Sequence, residues 1–285
     1  MRSLDYYHDL FEFFISKEVF KILNRKEFIE MMGKIKSNHG LKSRSSDDIE
    51  RYLINEFLKK IKEGDFTLYI LRNTDIDIFD VSSTINRMSV FSYQSALYIN
   101  GLVESLPLEI YLNKERNTPS NNISKVLKQE DVDTSFSKAP RVSVADKNFK
   151  KNKIHVINGQ FQNKIGVTVF RTHYLVTDLE RTLIDCVVRP FYAGGTSVIM
   201  EAFKKAKGKL DTKKLFEYLL KMHFTYPYHQ AIGLYLEKSG YSTEDFKSFL
   251  ELGKQIDFYL DYNIKYKKYS EKWGVFYPEA LDYRL

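Results

Sequence analysis

The chain has 285 residues, of which 43% are hydrophobic and 15% aromatic, a composition that excludes a wholly disordered protein. Its net charge of +7 and isoelectric point near 9.1 indicate an acidic partner without naming one. No apolar run approaches the ~20 residues that a membrane span needs, and residues 1–5 contain no apolar signal segment. Cys186 is the single cysteine and cannot form an internal disulfide. We therefore expect a cytoplasmic protein without a membrane partner.

Apolar residues at helical spacing predict several short helices at the start of the chain. The predicted spans are 4–15, 17–23, 26–35 and one from 46 or 47 to about 62. Aromatic and β-branched residues then predict strands over 66–71 and 76–81, paired as a hairpin. Helices followed by a hairpin are typical of a winged helix, in which the last helix enters the major groove. Residues 42–62 would be the recognition element and 72–75 the wing tip, but the pattern fits a generic helical domain with solvated charges equally well.

Basic residues without acidic neighbours mark a candidate DNA surface between residues 34 and 46. Lysine and arginine contacts to phosphate supply much of the affinity of DNA-binding proteins and make it depend on salt. The candidate DNA-binding residues are Lys36, Lys42, Ser43, Arg44, Ser45, Arg51, Lys59 and Arg72. The charge count weighs against this surface, because residues 1–100 hold 15 basic and 15 acidic residues, whereas residues 101–173 hold 12 and 7.

Residues 89–285 predict a second, mixed α/β domain with a helical C-terminal part. The predicted helices are 92–102, 215–222, 229–239 and 243–252, and the predicted strands are 108–112, 155–158 and 167–170. Residues 116–153 are rich in Asn, Ser, Lys and Pro and predict a loop-rich segment. Its basic run of Lys147, Lys150, Lys151 and Lys153 either keeps the loop solvated or binds phosphate or an acidic partner. The aromatic tail after residue 252 is expected to close the core.

Residues 174–209 contain the most specific local pattern of the chain. Asp178 and Glu180 precede an apolar-periodic run that ends at Pro190, which predicts a capped helix. Arg181 and Asp185 have the spacing of an i,i+4 ion pair. A glycine turn at 194–195 leads into a second helix over 198–207. Asp178, Glu180 and Asp185 could be imagined as acid–base carboxylates, but capping and pairing are the favoured interpretation, with Cys186 in the core.

Three motifs in order carry a resemblance to a known family. They are Asp178-x-Glu180-Arg181-Thr182-Leu183-x-Asp185-Cys186 with Arg189-Pro190-x-Tyr192-Ala193-Gly194-Gly195, the upstream Ser92-Tyr93-Gln94-Ser95-Ala96-Leu97-Tyr98-x-x-Gly101-Leu102, and the downstream Gly233-Leu234-Tyr235-Leu236-Glu237-x-x-Gly240. From about residue 89 onward the chain resembles the AbiEi-type antitoxins of bacterial type IV toxin–antitoxin systems, which act in abortive infection.

The resemblance implies an α+β protein of two domains, a winged-helix DNA-binding domain over 1–88 and an antitoxin domain over 89–285. It implies an autorepressor that binds its own double-stranded promoter DNA and counteracts a nucleotidyltransferase toxin, with direct toxin contact not required. The antitoxin-domain motif comprises Asp178, Glu180, Arg181, Asp185, Arg189, Tyr192, Gly194 and Gly195.

An enzymatic alternative rests on Gly194-Gly195-Thr196-Ser197, which looks like the phosphate-binding start of a nucleotidyltransferase helix. That class also needs paired carboxylates for Mg²⁺ soon afterwards, and the next acids here are Glu201 and Asp211. The histidines are scattered, and no P-loop is present. We therefore predict no enzyme activity, no cofactor and no metal, with a nucleotidyltransferase-like enzyme or a DNA-binding regulator without a toxin as alternatives.

Overall fold

The structure, a computed structural model, describes residues 3–37, 40–118, 127–144 and 147–283. It has an α+β fold. The chain forms two compact units, Met1–Arg87 with Ala145–Ile154, and Met88–Val144 with His155–Leu285. The first unit is therefore built from two stretches that are far apart in the sequence.

The N-terminal stretch of the first unit has the element order of a winged helix. After a short 3-10 turn at Leu4–Tyr7, its elements are α1 (His8–Ser16), β1 (Ile22–Asn24), α2 (Arg25–Lys36), α3 (Ser46–Glu56), β2 (Leu58–Glu63), β3 (Phe66–Leu71) and α4 (Ile78–Ser83). The strands form an antiparallel sheet in the order β1-β3-β2. The β2–β3 hairpin directly follows α3, as the wing of a winged helix follows its recognition helix.

The core of this unit forms where the apolar stripes of the helices meet the sheet. Asn24 starts α2 with a reciprocal capping box, in which its side chain accepts from the Glu27 amide at 2.9 Å. Phe28 of α2 stacks on Tyr69 of β3 with ring centroids 3.7 Å apart. The Glu27 carboxylate also receives the Arg87 guanidinium, with Nε 2.7 Å from Oε1. The cap, the core and the end of the unit are therefore tied together at one place.

Four predictions for this unit are wrong. Residues 17–23 contain a turn and the start of β1 instead of a helix, and the helix predicted to about residue 62 ends at Glu56. Residues 76–81 form no strand, because Asp77 caps α4 and accepts from the amides of Phe79 and Asp80. The hairpin partner of β3 is β2, so the wing tip is the turn at Gly64–Asp65 and not residues 72–75.

The second unit surrounds a small mixed sheet with helices. Its elements are β4 (Val90–Phe91), α5 (Tyr93–Ile99), β5 (Glu109–Glu115), α6 (Gln129–Phe136), the second part of β7 (Asn152–Gly159), β8 (Val167–Phe170), β9 (Tyr174–Thr177), α7 (Leu179–Val188), α8 (Thr196–Ala206), α9 (Thr212–Lys221), α10 (Tyr228–Lys238), α11 (Thr243–Glu251), β10 (Phe258–Tyr259), β11 (Lys267–Ser270) and β12 (Val275–Pro278). The remaining strand, β6 (Lys147–Phe149), belongs to the first unit. Strand β4 pairs antiparallel with β5 and parallel with β9.

Helix α7 lies at the centre of this unit and contacts α5, α8, α9 and α10. Its residues 180–187 are all buried, so it is enclosed on every side. Leu183 and Ile184 lie in the apolar core, and burial raises the pKa of the Cys186 thiol well above its ordinary value. Cys186 is therefore a core residue, as its position on the apolar face predicts.

Two expectations for the second unit need correction. The segment predicted to be loop-rich contains α6 and β6, since Val132 and Phe136 give α6 a buried face. Part of that segment, residues 119–126 and 145–146, lies outside the described residues. The aromatic tail forms a three-stranded sheet in the order β10-β12-β11, so the C-terminal part is not only helical. Across the described ranges, no helix is both long and apolar enough to cross a bilayer.

Candidate functional site

The eight predicted DNA-binding residues fall into two groups in the structure. Five belong to the connection from α2 to α3 or flank it: Lys36, Lys42, Ser43, Arg44 and Ser45. Ser45 caps α3 by accepting from the Asp47 amide at 3.2 Å, and the ammonium group of Lys36 lies 3.0 Å from Ser46 Oγ. These residues therefore meet at the N-terminal end of α3, where recognition helices contact DNA.

The other three residues lie away from that end. Arg51 is exposed on α3 and pairs with Asp48 at 3.5 Å. Lys59 is exposed on β2, and Arg72 donates to the Ile54 carbonyl oxygen at 2.9 Å. Arg72 thereby satisfies a carbonyl in the last turn of α3, which gives it a structural role.

Helix α3, which has the position of a recognition helix in the element order, carries mostly negative charge. It carries the acidic residues Asp47, Asp48, Glu50 and Glu56 against a single basic residue, Arg51. Glu50 is engaged inside the unit, because it accepts from Lys60 at 2.6 Å and from the Tyr69 hydroxyl at 2.9 Å. Burial raises the pKa of Glu50, but these two hydrogen bonds outweigh it and hold the pKa below its ordinary value. Asp47 and Asp48 lie in the first turn of α3, where their negative charge would repel a phosphate.

A second hairpin lies against the tip of the wing. Strands β6 and β7 pair across the two-residue turn Lys150–Lys151, with Asn148 opposite Lys153. The Asn148 amide donates to Asp65 Oδ2 at 2.7 Å, and the Asp65 amide donates to the Asn148 carbonyl oxygen at 3.1 Å. Phe66 and Phe149 pack edge to face with centroids 5.8 Å apart. We call residues 58–71 and 147–154 together the composite wing.

The composite wing concentrates positive charge. It contains Lys59, Lys60, Lys62, Lys147, Lys150, Lys151 and Lys153 against the acidic residues Glu63 and Asp65. All of these lysines are exposed except Lys60 and Lys147, which are half-buried. Lys60 is already paired with Glu50, and Asp65 is occupied by Asn148, so the free charge of this surface is mainly lysine. A lysine-rich hairpin pair of this kind is suited to phosphate contacts.

Gly64 makes the contact between the two hairpins possible. Its φ of +55° lies in the left-handed region, and a Cβ at this position would overlap the Asn148 carbonyl group. Gly64, Asp65 and Asn148 were absent from the predicted site. Local patterns contain no signal for them, because Asp65 and Asn148 are 83 residues apart.

The first part of the motif in the second unit ties α7 to α9. Asp178 caps α7 by accepting from the Arg181 amide at 2.9 Å, and it also accepts from the Tyr218 hydroxyl at 3.0 Å. Glu180 is buried and accepts from Lys214 at 2.7 Å. The two carboxylates thus have structural partners, and Lys214 lies within 2.9 Å of both.

Arg181 forms the centre of a buried network. Its Nε donates to Asp185 Oδ1 at 2.8 Å, and its two terminal nitrogens donate to the Ile165 carbonyl oxygen at 2.8 Å and to Glu115 Oε1 at 3.3 Å. Both Arg181 and Asp185 are almost fully buried. Burial raises the pKa of the Asp185 carboxyl, and the positive charge of Arg181 opposes that rise. The predicted i,i+4 pair therefore exists, with two further partners from distant parts of the chain.

The rest of the motif builds the connection from α7 to α8. Arg189 ends α7, and Tyr192 is buried with its hydroxyl accepting from the Ser143 amide at 2.9 Å. Gly194 and Gly195 have φ values of +89° and +90°, and Gly195 is the residue before α8. The glycines are needed here because other residues rarely adopt this conformation.

The fold of this chain also occurs in a solved protein. A crystal structure of the RV2827C protein from Mycobacterium tuberculosis matches with a TM-score of 0.56 and 9% sequence identity. The match covers 99% of this chain and 95% of that one. At this identity the likeness concerns the fold alone. No known protein-family profile matches the chain, and no curated protein matches it either.

In the part of the chain that the structure describes, the side chains of the types that can bind a metal ion are scattered. No group of three or more His, Cys, Asp or Glu residues there is placed to hold a metal ion. Glu201, the first acid after the glycine turn, lies 3.2 Å from Lys204. The glycine turn does lead into a helix start at Thr196, as its sequence predicts.

Proposed function

We propose that this protein binds double-stranded DNA through its first unit and acts as a transcriptional regulator. The observation that carries the proposal is the composite wing, a lysine-rich surface built onto a winged-helix framework. Winged helices contact DNA with the recognition helix in the major groove and the wing beside it. Here α3 is acidic over most of its length, so phosphate contacts come from the composite wing and from Lys42 and Arg44 before α3.

The test is an electrophoretic shift of the DNA upstream of the gene, titrated across salt and against scrambled DNA. Each phosphate contact contributes about 0.9 to the slope of log affinity against log salt. The triple variant Lys150→Gln, Lys151→Gln, Lys153→Gln should lower that slope by up to about 2.7. The double variant Lys42→Ala, Arg44→Ala should lower it by up to about 1.8.

The matched control removes three lysines outside the first unit. Lys209, Lys213 and Lys221 are exposed residues of the second unit, and their change to Gln removes the same charge. This control should leave the slope unchanged. A wild-type protein that shifts no DNA, or a control that lowers the slope as much as the wing variant does, would overturn the proposal.

We further propose that the second unit supplies an antitoxin activity against a nucleotidyltransferase toxin, and that the regulated operon is its own. The support is the resemblance of residues 89–285 to AbiEi-type antitoxins. The test is growth of cells that express a neighbouring nucleotidyltransferase gene, with and without this protein. The triple wing variant should still restore growth, because it leaves the second unit intact. Failure of the wild-type protein to restore growth would restrict its function to regulation.

Nucleotide transfer by this chain is not part of the proposal. Incubation with Mg²⁺ and each nucleoside triphosphate should transfer no nucleotide to RNA or protein. Transfer by the wild-type protein that disappears in Glu201→Ala would identify it as an enzyme instead.

A further inference from the structure

A cleft of about 680 Å³ opens beside α7 in the second unit. Its volume lies in the range of about 300–1,000 Å³ that is typical of small-molecule sites. Helix α7 contributes Arg181 and Asp185 to its lining, and Arg189 directly follows the helix. The segment after α6 contributes Lys138 and Arg141. The charged half of the motif therefore faces a space large enough for a ligand.

Two buried oxygen atoms of the lining residues lack donors. Among the described residues, neither Asp185 Oδ2 nor Asn113 Oδ1 has a hydrogen-bond partner. Both residues are nevertheless buried, since Asp185 is only 6% exposed and Asn113 only 4%. Buried acceptors are nearly always paired in folded proteins, because an unpaired one loses its hydration without compensation. A ligand that carries N–H groups could donate hydrogen bonds to these two oxygen atoms.

A glycine makes room for one of these acceptors. Gly159 lies on the cleft beside Asn113, and a Cβ at position 159 would overlap the Asn113 amide group. Because Gly159 has no side chain, the Asn113 amide group fits beside it in the lining of the cleft.

Positive charge dominates the remaining polar lining. Lys138 and Arg141 are exposed and Arg189 is half-buried, and Asp185 is the single acid among the described lining residues. Arg181 is already occupied by its network, which leaves these three cations for a ligand. Arginine pairs with phosphate through two parallel hydrogen bonds, so an anionic phosphate group suits this part of the cleft.

Aromatic rings line the same cleft. They are Tyr93, Phe191, Phe224, Tyr226, Tyr228 and Tyr262. Nucleobases stack on aromatic side chains because every base presents a flat π-face. The cations suit a phosphate group, the aromatic rings suit a nucleobase, and the unpaired acceptors suit an N–H donor on that base. A nucleotide contains all three groups.

We propose that this cleft binds a mononucleotide whose base carries an amino group. The phosphate lies on Arg189 and Arg141, the base packs against the aromatic rings, and its amino group donates to Asp185 or Asn113. Guanine, adenine and cytosine carry such an amino group, whereas uracil, like thymine, presents a carbonyl acceptor instead. The site does not depend on DNA binding by the first unit.

The test is isothermal titration calorimetry of the full chain without DNA. The probes are GMP, AMP, CMP, UMP and inorganic phosphate. At least one amino-bearing nucleotide should bind 10-fold or more tightly than UMP and inorganic phosphate. No heat with any nucleotide at millimolar concentration, or equal binding of inorganic phosphate alone, would overturn the proposal.

Variants assign the binding to this cleft. Arg189→Gln and Arg141→Gln should each weaken nucleotide binding 5-fold or more, and Arg141 is exposed, so its loss leaves folding intact. Arg116→Gln removes the same charge from an exposed position off the cleft and should change nothing. Gly159→Ala should reduce the preference for amino-bearing bases while phosphate-dependent binding persists. Wild-type affinity in both arginine variants would place the nucleotide elsewhere and refute the assignment.

Discussion

Asp65 and Asn148 are joined by two hydrogen bonds. The backbone amide of Asn148 donates to Asp65 Oδ2 at 2.7 Å, and the backbone amide of Asp65 donates to the Asn148 carbonyl oxygen at 3.1 Å. The pair joins the turn of the wing to the β6–β7 hairpin. Because Gly64 lies directly against Asn148, this junction has little tolerance for a larger residue.

Gly64→Ala should therefore detach the second hairpin of the composite wing. The left-handed conformation alone costs about 1–2 kcal/mol for a residue with a Cβ, and the overlap with Asn148 adds to it. Gly101→Ala is the matched control, because Gly101 has a φ of +71° and no atom within 4 Å of its added Cβ. Hydrogen exchange at residues 147–154 should accelerate in Gly64→Ala and remain unchanged in Gly101→Ala. Equal exchange in both variants would show that the docked hairpin does not depend on Gly64.

Local patterns predicted several elements of the first unit and misassigned others for a physical reason. The apolar spacing predicts a helix over 26–35, which is within one residue of α2 at each end, and the structure adds the capping box of Asn24 and Glu27. The helix from residue 46 was extended too far because Leu58 and Ile61 continue the helical spacing of Leu53 and Phe57. Short amphipathic strands and helices share such spacings, and only pairing with β3 decides between them.

The sequence predicted only part of the candidate DNA surface, since it did not assign residues 147–154 to the first unit. Counting charge by segment placed the basic surplus in residues 101–173, outside the predicted DNA-binding domain. In the structure, some of these basic residues belong to the first unit, because that unit includes residues 145–154. In the second unit, likewise, Arg181 and Asp185 were paired correctly from their spacing, whereas Glu115 and the Ile165 carbonyl come from distant parts of the chain.

Removal of Arg181 should destabilise the second unit strongly. Arg181→Met leaves Asp185 and Glu115 without their cation in a buried setting, which costs about 3–5 kcal/mol of unfolding free energy. Lys205→Met breaks the exposed ion pair with Glu104 and should lower the unfolding free energy far less, because water screens charges at the surface. Urea unfolding of the two variants measures the difference. A loss below about 1 kcal/mol in Arg181→Met would contradict the central role of this network.

Two glycines in helices should respond to alanine with opposite signs. Gly233 of α10 lies against the Trp273 indole, which an added Cβ would overlap, so Gly233→Ala should destabilise the protein by about 1–3 kcal/mol through overpacking. Gly33 of α2 has no atom within 4 Å of its added Cβ, and Gly33→Ala should stabilise by about 0.5–1 kcal/mol. Thermal unfolding should show the melting temperature falling in the first variant and rising in the second.

His229 should make stability depend on pH. Burial lowers its pKa below the ordinary value of 6.5, and its hydrogen bond of 2.8 Å to the Gly253 carbonyl oxygen opposes that shift. The unfolded chain therefore binds the proton more readily, so stability should fall as pH drops below about 6.5 until the folded-state pKa is passed. His229→Gln should lose less unfolding free energy between pH 7.5 and 5.5 than the wild type. The exposed His223→Gln serves as control, and identical pH profiles in all three proteins would contradict the expectation.

The division of the first unit into two stretches has a consequence for protein synthesis. Residues 1–87 are translated before residues 145–154, and at about 5–20 residues per second the interval is several seconds. A nascent chain thus has α3 and the β2–β3 hairpin before it has the four lysines of the second hairpin. The complete lysine cluster of the composite wing, on which the proposed phosphate contacts depend, is present only when more than half of the polypeptide has been made. A fragment cut after residue 87 would reproduce that early state, and under the proposed function it should bind DNA more weakly than the whole chain.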